Sequence, residues 1–584
     1  MDRRVKLPRR PALGLWLFLL PAAGFLALFY FFPLATIAQV SFARAAGGLA
    51  AVLAEVAGSA VVRGIFAFTV WQAALSTLLT LAVGLPGAYL LARYRFRGQG
   101  LLRALTAVPF VLPTLVVAAA FNALLGPRGW VNVGLMAAFD LSAPPVTFVN
   151  TFGAILLAHV FYNTTIVLRL VGDFWSRLDP RLVAAARALG ASPARAFREV
   201  TLPLLAPALG AAALLVFIFD FTSFGVILVL GGPRFATLET EIYRQTVYLF
   251  NLPVAAVLAL IQLLCTLGLS VAYTRLSARV AAPLNLRAAR DTRQPLRTPR
   301  ARLTAGLLVG GLVALLVLPL AALALRSVVR LDAERGQSGP VQTGFTLAFY
   351  QELGQNRRNN LFYVPPTAAI GNSLAAASAT VALALALGLP AAWAVAAQGS
   401  REAKRQDATS AAALALDALL LLPLGTSAVT LGLGFIVALD TPPLDLRASP
   451  LLLPLAHTLV ALPFVVRSLV PALRSIRPRL RQAAAMLGAG PARVWREIDL
   501  PLVGRAVIVA ATFAFTLSLG EFGATAIIAR PEHPTVPVVI YRLIGLPGAL
   551  NYGQALALST ILMVVCTVGI LAIERLRVGE VGEF

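Results

Sequence analysis

The chain has 584 residues, 59% of them hydrophobic and only 13% charged, with a mean hydropathy of +0.82; a soluble globular chain carries about 25% charged residues, so this one belongs in a membrane. Its net charge of +24 comes mostly from Arg in short loops between apolar runs, which fits membrane topology rather than a basic nucleic-acid surface. Cys265 and Cys566 are far apart inside apolar runs, and neither of the two lysines, Lys6 and Lys404, follows a glycine; a disulfide framework, a CxxC metal signature and a Walker A loop are all excluded.

The basic N-terminus, MDRRVKLPRR, precedes an apolar run from Pro11 to about Val40. Ala43 and Ala45 form a cleavage-like pattern, but the run exceeds the apolar region of about 7 to 15 residues in a signal peptide. It is read as an uncleaved first span, since a membrane helix needs ~20 residues. Apolar runs near 65–92, 104–126, 150–171, 204–230 and 251–274 complete six spans. Residues 276–302 contain Pro283, Pro295 and Pro299, lack helical periodicity and read as a linker. Six more spans follow near 303–325, 368–398, 410–439, 450–471, 505–529 and 550–573, with a polar segment from Arg326 to Pro366 between the first two.

Arginine distribution sets the orientation. Arg93, Arg95, Arg97 and Arg103 follow the second span, and eight Arg against one Asp lie between Arg275 and Arg302 after the sixth. Cytoplasmic loops collect such residues, so both termini and the linker are expected in the cytoplasm.

One stretch occurs twice. PRLVAAARALGASPARAFREVTLPL, from Pro180 to Leu204, is repeated 298 residues later as PRLRQAAAMLGAGPARVWREIDLPL, Pro478 to Leu502, with sixteen of twenty-five positions identical and no gap. Leu182, Ala185 and Leu189 fall at helical spacing before Gly190, which ends a helix cheaply in the left-handed region. Ser192 then suits an N-cap and Pro193 a first turn. Leu480, Ala483, Leu487, Gly488 and Pro491 repeat the plan, with Gly490 as the weaker cap. Each copy is therefore a polar elbow of helix, break and helix. The same offset pairs His159 with His457, Arg169 with Arg467, Gly225 with Gly523 and Tyr243 with Tyr541. The expected fold is all-α and integral to the membrane: about twelve transmembrane helices in two homologous six-span halves, related by an axis along the membrane normal.

The elbow resembles the EAA motif of permease subunits of ATP-binding cassette importers. Ala185, Ala186, Gly190, Val200, Leu202 and Pro203 fit its spacing, as do Ala483, Ala484, Gly488, Ile498, Leu500 and Pro501. Ala184 and Gln482 stand where the motif has glutamate, which leaves the geometry of helix, break and helix intact. The stretches Val70–Arg93, Gly126–Trp130, Leu156–Asn163, Phe221–Arg244 and Ser518–Leu543 are similar to permeases for thiamine and its phosphates; ferric-iron permeases are close relatives. The resemblance implies the type I importer permease fold in an inner (plasma) membrane, with permease domains over 67–275 and 367–575. Around them lie an N-terminal span and loop over 1–66, the linker 276–302, a seventh span and extracytoplasmic segment over 303–366, and a tail over 576–584. It also implies two ATP-binding cassette ATPase subunits docked on the elbows and an extracytoplasmic binding protein that chooses the substrate. The implied coupling residues are Ala185, Ala186, Leu189, Gly190, Leu202 and Pro203, with Ala483, Ala484, Leu487, Gly488, Leu500 and Pro501. No cofactor is expected in this chain, because ATP and Mg bind the partner; membrane lipid is a partner and nucleic acid is not.

Polar residues within the spans are costly and mark a bundle interior or a path. Asp220, Ser223 and Phe224 in the fifth span, with Glu521 and Phe522 in the eleventh, are candidates for a translocation path or gate, although bonding to neighbouring helices is an equal alternative. The offset pairs Glu521 with Ser223 rather than with Asp220. His159 and His457 without nearby Cys or carboxylates in sequence make a poor metal set and are read as helix-packing and hydrogen-bonding residues. Arg169 and Arg467 are read as snorkelling to the interface, Trp16 and Phe29 to Phe32 as interfacial aromatics. SLGEFG and LVLGGP lack the strand and turn of a dinucleotide fingerprint. Asp417 has no visible partner. An ion-gradient-driven secondary transporter shares the two six-span halves but would not need the elbows. An intramembrane enzyme would need a nucleophile and base or a metal set.

Overall fold

The apolar runs fold into helices. The computed structural model describes residues 13–43, 54, 58–280, 293–331, 344–355, 364–402, 419–420, 422–440 and 445–577. Among the described residues, eleven helices are long and apolar enough to cross a membrane. In chain order the helices are α1 (Leu17–Val40), α2 (Ala60–Arg93), α3 (Thr114–Phe139), α4 (Phe152–Arg177), α5 (Pro193–Phe221), α6 (Leu252–Ser277), α7 (Pro299–Arg326) and α8 (Pro366–Ala397), the shorter α9 (Ala428–Ala438), then α10 (Leu452–Ser475), α11 (Pro491–Gly520) and α12 (Ala549–Arg575). The 24 residues of α10 reach ~36 Å at ~1.5 Å per residue, enough for a hydrocarbon core of ~30 Å. The expected ninth span, 410–439, is represented by α9; the rest of that run falls largely outside the described residues, as do Lys6, Lys404 and Asp417.

The expected third span, 104–126, is divided. A helix over Gln99–Val111 stops where Leu112 takes an extended conformation because it precedes Pro113, and α3 begins at Thr114. Further on, α3 is broken at Gly126–Gly129. A Cβ on Gly126 would stand 1.9 Å from Asn122 Oδ1, and one on Gly129 would stand 2.7 Å from the backbone of Leu124, so the turn closes only with glycine. Fully buried Asn132 fastens it, donating to the carbonyls of Gly126 and Val146 at 2.8 and 2.9 Å and accepting from Val146 N at 2.8 Å.

Compactness groups the chain into two units that interleave the repeats. The first gathers Met1–Gln39, Gly371–Ala529 and Gly569–Phe584. Within it α1 packs on second-repeat helices: the Phe18 and Trp393 rings are 4.9 Å apart, and the Tyr30 hydroxyl pairs with Thr426 Oγ1 at 2.7 Å. The aromatic run at Phe29–Phe32 thus includes a buried anchor, Tyr30, beside exposed Phe31 and Phe32.

The second unit gathers Val40–Ile370 and Arg530–Val568. Here α7 packs against α2 and α3, and Trp130 Nε1 donates to the Ala322 carbonyl at 3.2 Å. A short parallel pairing of Tyr94–Arg95 with Gln294–Pro295 ties the end of the linker to the loop after α2. In both units small residues let helices approach closely. A Cβ on Gly84 would lie 2.7 Å from Val167, and one on Gly388 would lie 2.7 Å from Val465.

Candidate functional site

The first elbow is built as its residues demand. Asp179 caps a helix over Pro180–Ala188 by accepting from Arg181 N at 2.9 Å. Gly190 adopts φ +88°, and the amides of Gly190 and Ala191 close back on the carbonyls of Arg187 and Ala186 at 3.0 and 3.1 Å, the paired bonds of a Schellman stop. Ser192 Oγ then accepts from Arg195 N at 3.3 Å, and Pro193 opens the second arm. That arm contains one widened turn, Phe197–Thr201, and runs into the rest of α5 without a break.

The second elbow repeats this. Its helix spans Pro478–Met486, Gly488 has φ +82°, and Gly488 N and Ala489 N bond to Ala485 O and Ala484 O at 3.1 and 3.0 Å. Gly490 occupies the cap without a side-chain bond, and the second arm continues into α11 through a widened turn at Trp495–Asp499. Matched ion pairs brace the arms, Arg195 to Glu199 at 2.9 Å and Arg493 to Glu497 at 3.0 Å.

The twelve expected coupling residues share these elbows, and all are exposed except half-buried Ala186 and Ala484. Leu189 is 90% exposed and Leu487 88%, with Met486 at 90%. Large apolar side chains this bare, each held beside a fixed turn, are suited to filling a partner's pocket.

At the other ends of α5 and α11 the structure brings the candidate gate residues onto histidines. His159, on α4, contacts Ser76 Oγ through Nδ1 at 3.0 Å and Ser223 Oγ through Nε2 at 2.9 Å. Asp220 Oδ1 lies 3.5 Å from His159 Nδ1 and accepts from Asn163 Nδ2 at 2.7 Å, while Gln72 Nε2 donates to the Asp220 carbonyl at 2.7 Å. In the other unit His457, on α10, meets Ser518 Oγ through Nδ1 at 2.7 Å and Thr525 Oγ1 through Nε2 at 2.8 Å, with Glu521 Oε2 3.3 Å from Nε2. Glu521 also accepts from the amides of Ala524 and Thr525 at 2.8 and 3.0 Å. Asp220 is 1% exposed and Glu521 8%, and Phe224 and Phe522 are buried beside them.

The two clusters have one plan with two residues exchanged. The 298-residue offset equates Asp220 with Ser518 and Ser223 with Glu521, so these two positions give each histidine one carboxylate and one hydroxyl on opposite ring nitrogens, beside a second hydroxyl from Ser76 or Thr525. Sequence reasoning paired the histidines but missed Ser76, Ser518 and Thr525 as their partners and Asn163 as the partner of Asp220. Asn163 stands one turn after His159, and Ser518 occupies the position equivalent to Asp220; both signals were present. Among the described residues no group of three or more His, Cys, Asp or Glu is placed to hold a metal ion.

Twin elbows continuous with membrane helices are the arrangement expected of a transport permease. The family model for the binding-protein-dependent transport system inner membrane component matches residues 84–282, and the chain belongs to the permease subunits of ABC transporters. It is 31% identical to the Probable ABC transporter permease protein y4fN of Sinorhizobium fredii over 598 aligned residues, covering 100% of this chain and 99% of the relative. It is 28% identical to the thiamine transport system permease protein ThiP of Salmonella typhimurium, over 87% of this chain and 88% of the relative. The ThiP of Brucella abortus is 29% identical, over 95% of both chains.

Proposed function

We propose that this chain forms the transmembrane path of an importer for thiamine or its phosphates, takes substrate from an extracytoplasmic binding protein, and is driven by two ATP-binding cassette subunits at its elbows. The substrate is supported by the ThiP relatives, which match along most of their length. Arginine-rich loops support a topology with both elbows, the linker and both termini in the cytoplasm. ATP and Mg bind the ATPase subunits, and this chain supplies the coupling.

The observation that carries this reading is the pairing, in each elbow, of an exposed leucine with a left-handed glycine at the start of an arm that belongs to a membrane helix. Leu189 and Leu487 enter a groove of the ATPase, and Ala185, Ala186, Ala483 and Ala484 let the elbow helix lie close to it. The glycine turn sets the angle of the knob. Leu202, Pro203, Leu500 and Pro501 begin the stretch where the arm enters the membrane helix, so a displacement of either elbow is passed to α5 or α11. Asp220, Ser223, Phe224, Glu521 and Phe522 then act at the outer gate as joints that hold the far helix ends to α4 and α10. The test is reconstitution with the ATPase and binding protein, followed by uptake of labelled thiamine and, separately, ferric ion. Thiamine uptake that needs ATP and survives a proton ionophore is expected. Uptake of ferric ion alone would overturn the substrate, and loss of uptake to the ionophore with ATP preserved would overturn the ATP-driven class.

A further inference from the structure

The two elbows differ in what fills the space behind them. In the first repeat the Trp175 ring lies 5.1 Å from Tyr89 and 6.1 Å from Phe197, and this aromatic row, with Trp175 buried in the middle and Tyr89 and Phe197 exposed at its ends, spans α2, α4 and the second arm. Shared GLP triplets align Gly84–Pro86 with Gly388–Pro390 and so equate Tyr89 with Trp393; the 298-residue offset equates Phe197 with Trp495 and Trp175 with Leu473. The middle ring is therefore missing from the second repeat. In its place is a partly open cavity of about 840 Å³, with Phe18, Trp393, Leu473 and Trp495 in its wall.

The cavity has a polar end. Arg481 and Asp499 both line it, joined from Arg481 Nε to Asp499 Oδ1 at 2.7 Å, with Asp499 buried and Arg481 about one-third exposed. Val183 and Thr201 stand at the equivalent positions of the first elbow, so the charged pair accompanies the cavity. By taking the Nε–H, Asp499 holds the guanidinium on the wall and leaves its Nη donors for a second acceptor, the fork geometry that suits a phosphate. Five arginines against two carboxylates lie between residues 476 and 502, which favours an anionic occupant. The site also lies at the ends of membrane helices, beside the last turns of α8 and α10, and two tryptophans in its wall suit a boundary between lipid and water. Water has few partners along an apolar wall of this size.

We propose that this cavity is a binding site for an anionic phospholipid, with an acyl chain against Phe18, Trp393, Leu473 and Trp495 and the phosphate on Arg481. The lipid replaces the ring that Trp175 supplies in the first repeat and braces the second elbow from its membrane side. The site is independent of which substrate crosses the membrane.

The test uses the full-length chain in mild detergent, loaded with phosphatidylglycerol or phosphatidylcholine and examined by native mass spectrometry. One phosphatidylglycerol per chain is expected to survive activation that strips the remaining lipid. Leu473→Trp, which restores the missing ring, is expected to lower that retention about tenfold, a difference of ~1.4 kcal/mol. The double variant Arg481→Gln/Asp499→Asn, which leaves no lone buried charge, is expected to bind both lipids alike. In parallel, a diazirine-bearing phosphatidylglycerol should label wild-type segments 389–397 and 485–495, a readout that does not depend on the folding of any variant. Equal retention of the two lipids by wild type, unchanged retention by a folded Leu473→Trp, or photolabel absent from both segments would each overturn the proposal.

Discussion

His457 turns Nε2 toward Glu521 at 3.3 Å, whereas its repeat counterpart His159 turns the same nitrogen to the Ser223 hydroxyl at 2.9 Å. The carboxylate of the first cluster instead lies on the Nδ1 side, as Asp220. Exchanging a carboxylate and a hydroxyl between two positions three residues apart, one on the helix and one just past its end, preserves the composition around the ring but changes what the carboxylate does next. Glu521 lies just past the end of α11 and caps the amides of Ala524 and Thr525. Asp220 is still on α5 and has the Asn163 amide as its side-chain donor, with Oδ2 buried and without a hydrogen-bond partner.

That difference predicts unequal costs. Glu521→Ala strands the backbone N–H groups of Ala524 and Thr525, whereas the Thr525 hydroxyl keeps His457, and each unsatisfied buried group costs about 1–3 kcal/mol. Asp220→Ala strands one Asn163 N–H and removes a half-satisfied carboxylate. Thermal unfolding of the two variants in the same detergent should show Glu521→Ala less stable by at least ~1 kcal/mol. Equal losses would mean that the amide cap contributes little.

The elbow glycines are held by backbone conformation alone. Nothing lies within 4 Å of a Cβ built on Gly190 or Gly488, but their φ values are +88° and +82°. A β-branched residue there costs roughly 1–2 kcal/mol of local strain, and asparagine much less, because it tolerates the left-handed region. Gly190→Val with Gly488→Val should therefore abolish stimulation of the ATPase by loaded binding protein, while the corresponding pair of asparagines retains most of it. Normal stimulation in the valine pair would remove the turn from the coupling path.

Leu189 and Leu487 are so exposed that their replacement should leave the fold within about 0.5 kcal/mol of wild type. Their role in a complex predicts the opposite for association. Leu189→Glu and Leu487→Glu should each weaken ATPase binding at least about tenfold, as truncation of an interface anchor does, measured by titrating purified ATPase against the reconstituted variant. Unchanged affinity would place the contact elsewhere on the elbow.

Much of this was legible because the signals were local. Gly190, Ser192 and Pro193 each favour one backbone state, so the elbow is legible from them without reference to packing. Span positions followed from apolar run length, with the error falling at Pro113, where a proline divides an otherwise continuous run. The histidine clusters were only half legible: equivalence of His159 and His457 could be read from the offset, but the partners come from α2, α5 and α11 and are set by packing. The interleaved units carry no local signal, since the apolar faces of α1 and α7 do not specify which helices cover them. The cavity behind the second elbow is of the same kind: Leu473 is an ordinary core residue until its counterpart Trp175 is seen spanning the equivalent space.

Close packing of α2 on α4 and of α8 on α10 gives the sharpest stability test, because the repeat supplies its own replicate. A Cβ on Gly84 would sit 2.7 Å from Val167 Cβ, and one on Gly388 would sit 2.7 Å from a Val465 methyl, both well inside van der Waals contact. Val167 and Val465 are fully buried and β-branched, so neither can swing away cheaply. Gly84→Ala and Gly388→Ala should therefore each destabilise by about 1–3 kcal/mol, the usual cost of overpacking. At Gly134, where a Cβ meets nothing within 4 Å, the same substitution should be neutral or stabilising by up to ~1 kcal/mol, since alanine favours the helix. Val167→Ala removes the methyls 2.8 and 3.3 Å from the new Cβ and keeps the Val167 Cβ contact, so Gly84→Ala/Val167→Ala should lose less stability than the sum of its single variants while remaining overpacked. A coupling of about 0.5–3 kcal/mol in a double-mutant cycle is the expected size for residues in contact, and the Gly388 and Val465 pair should repeat it. Additive losses at both pairs, measured by thermal unfolding, would mean that the helices can separate to admit a methyl group and that the glycines are not what sets their spacing.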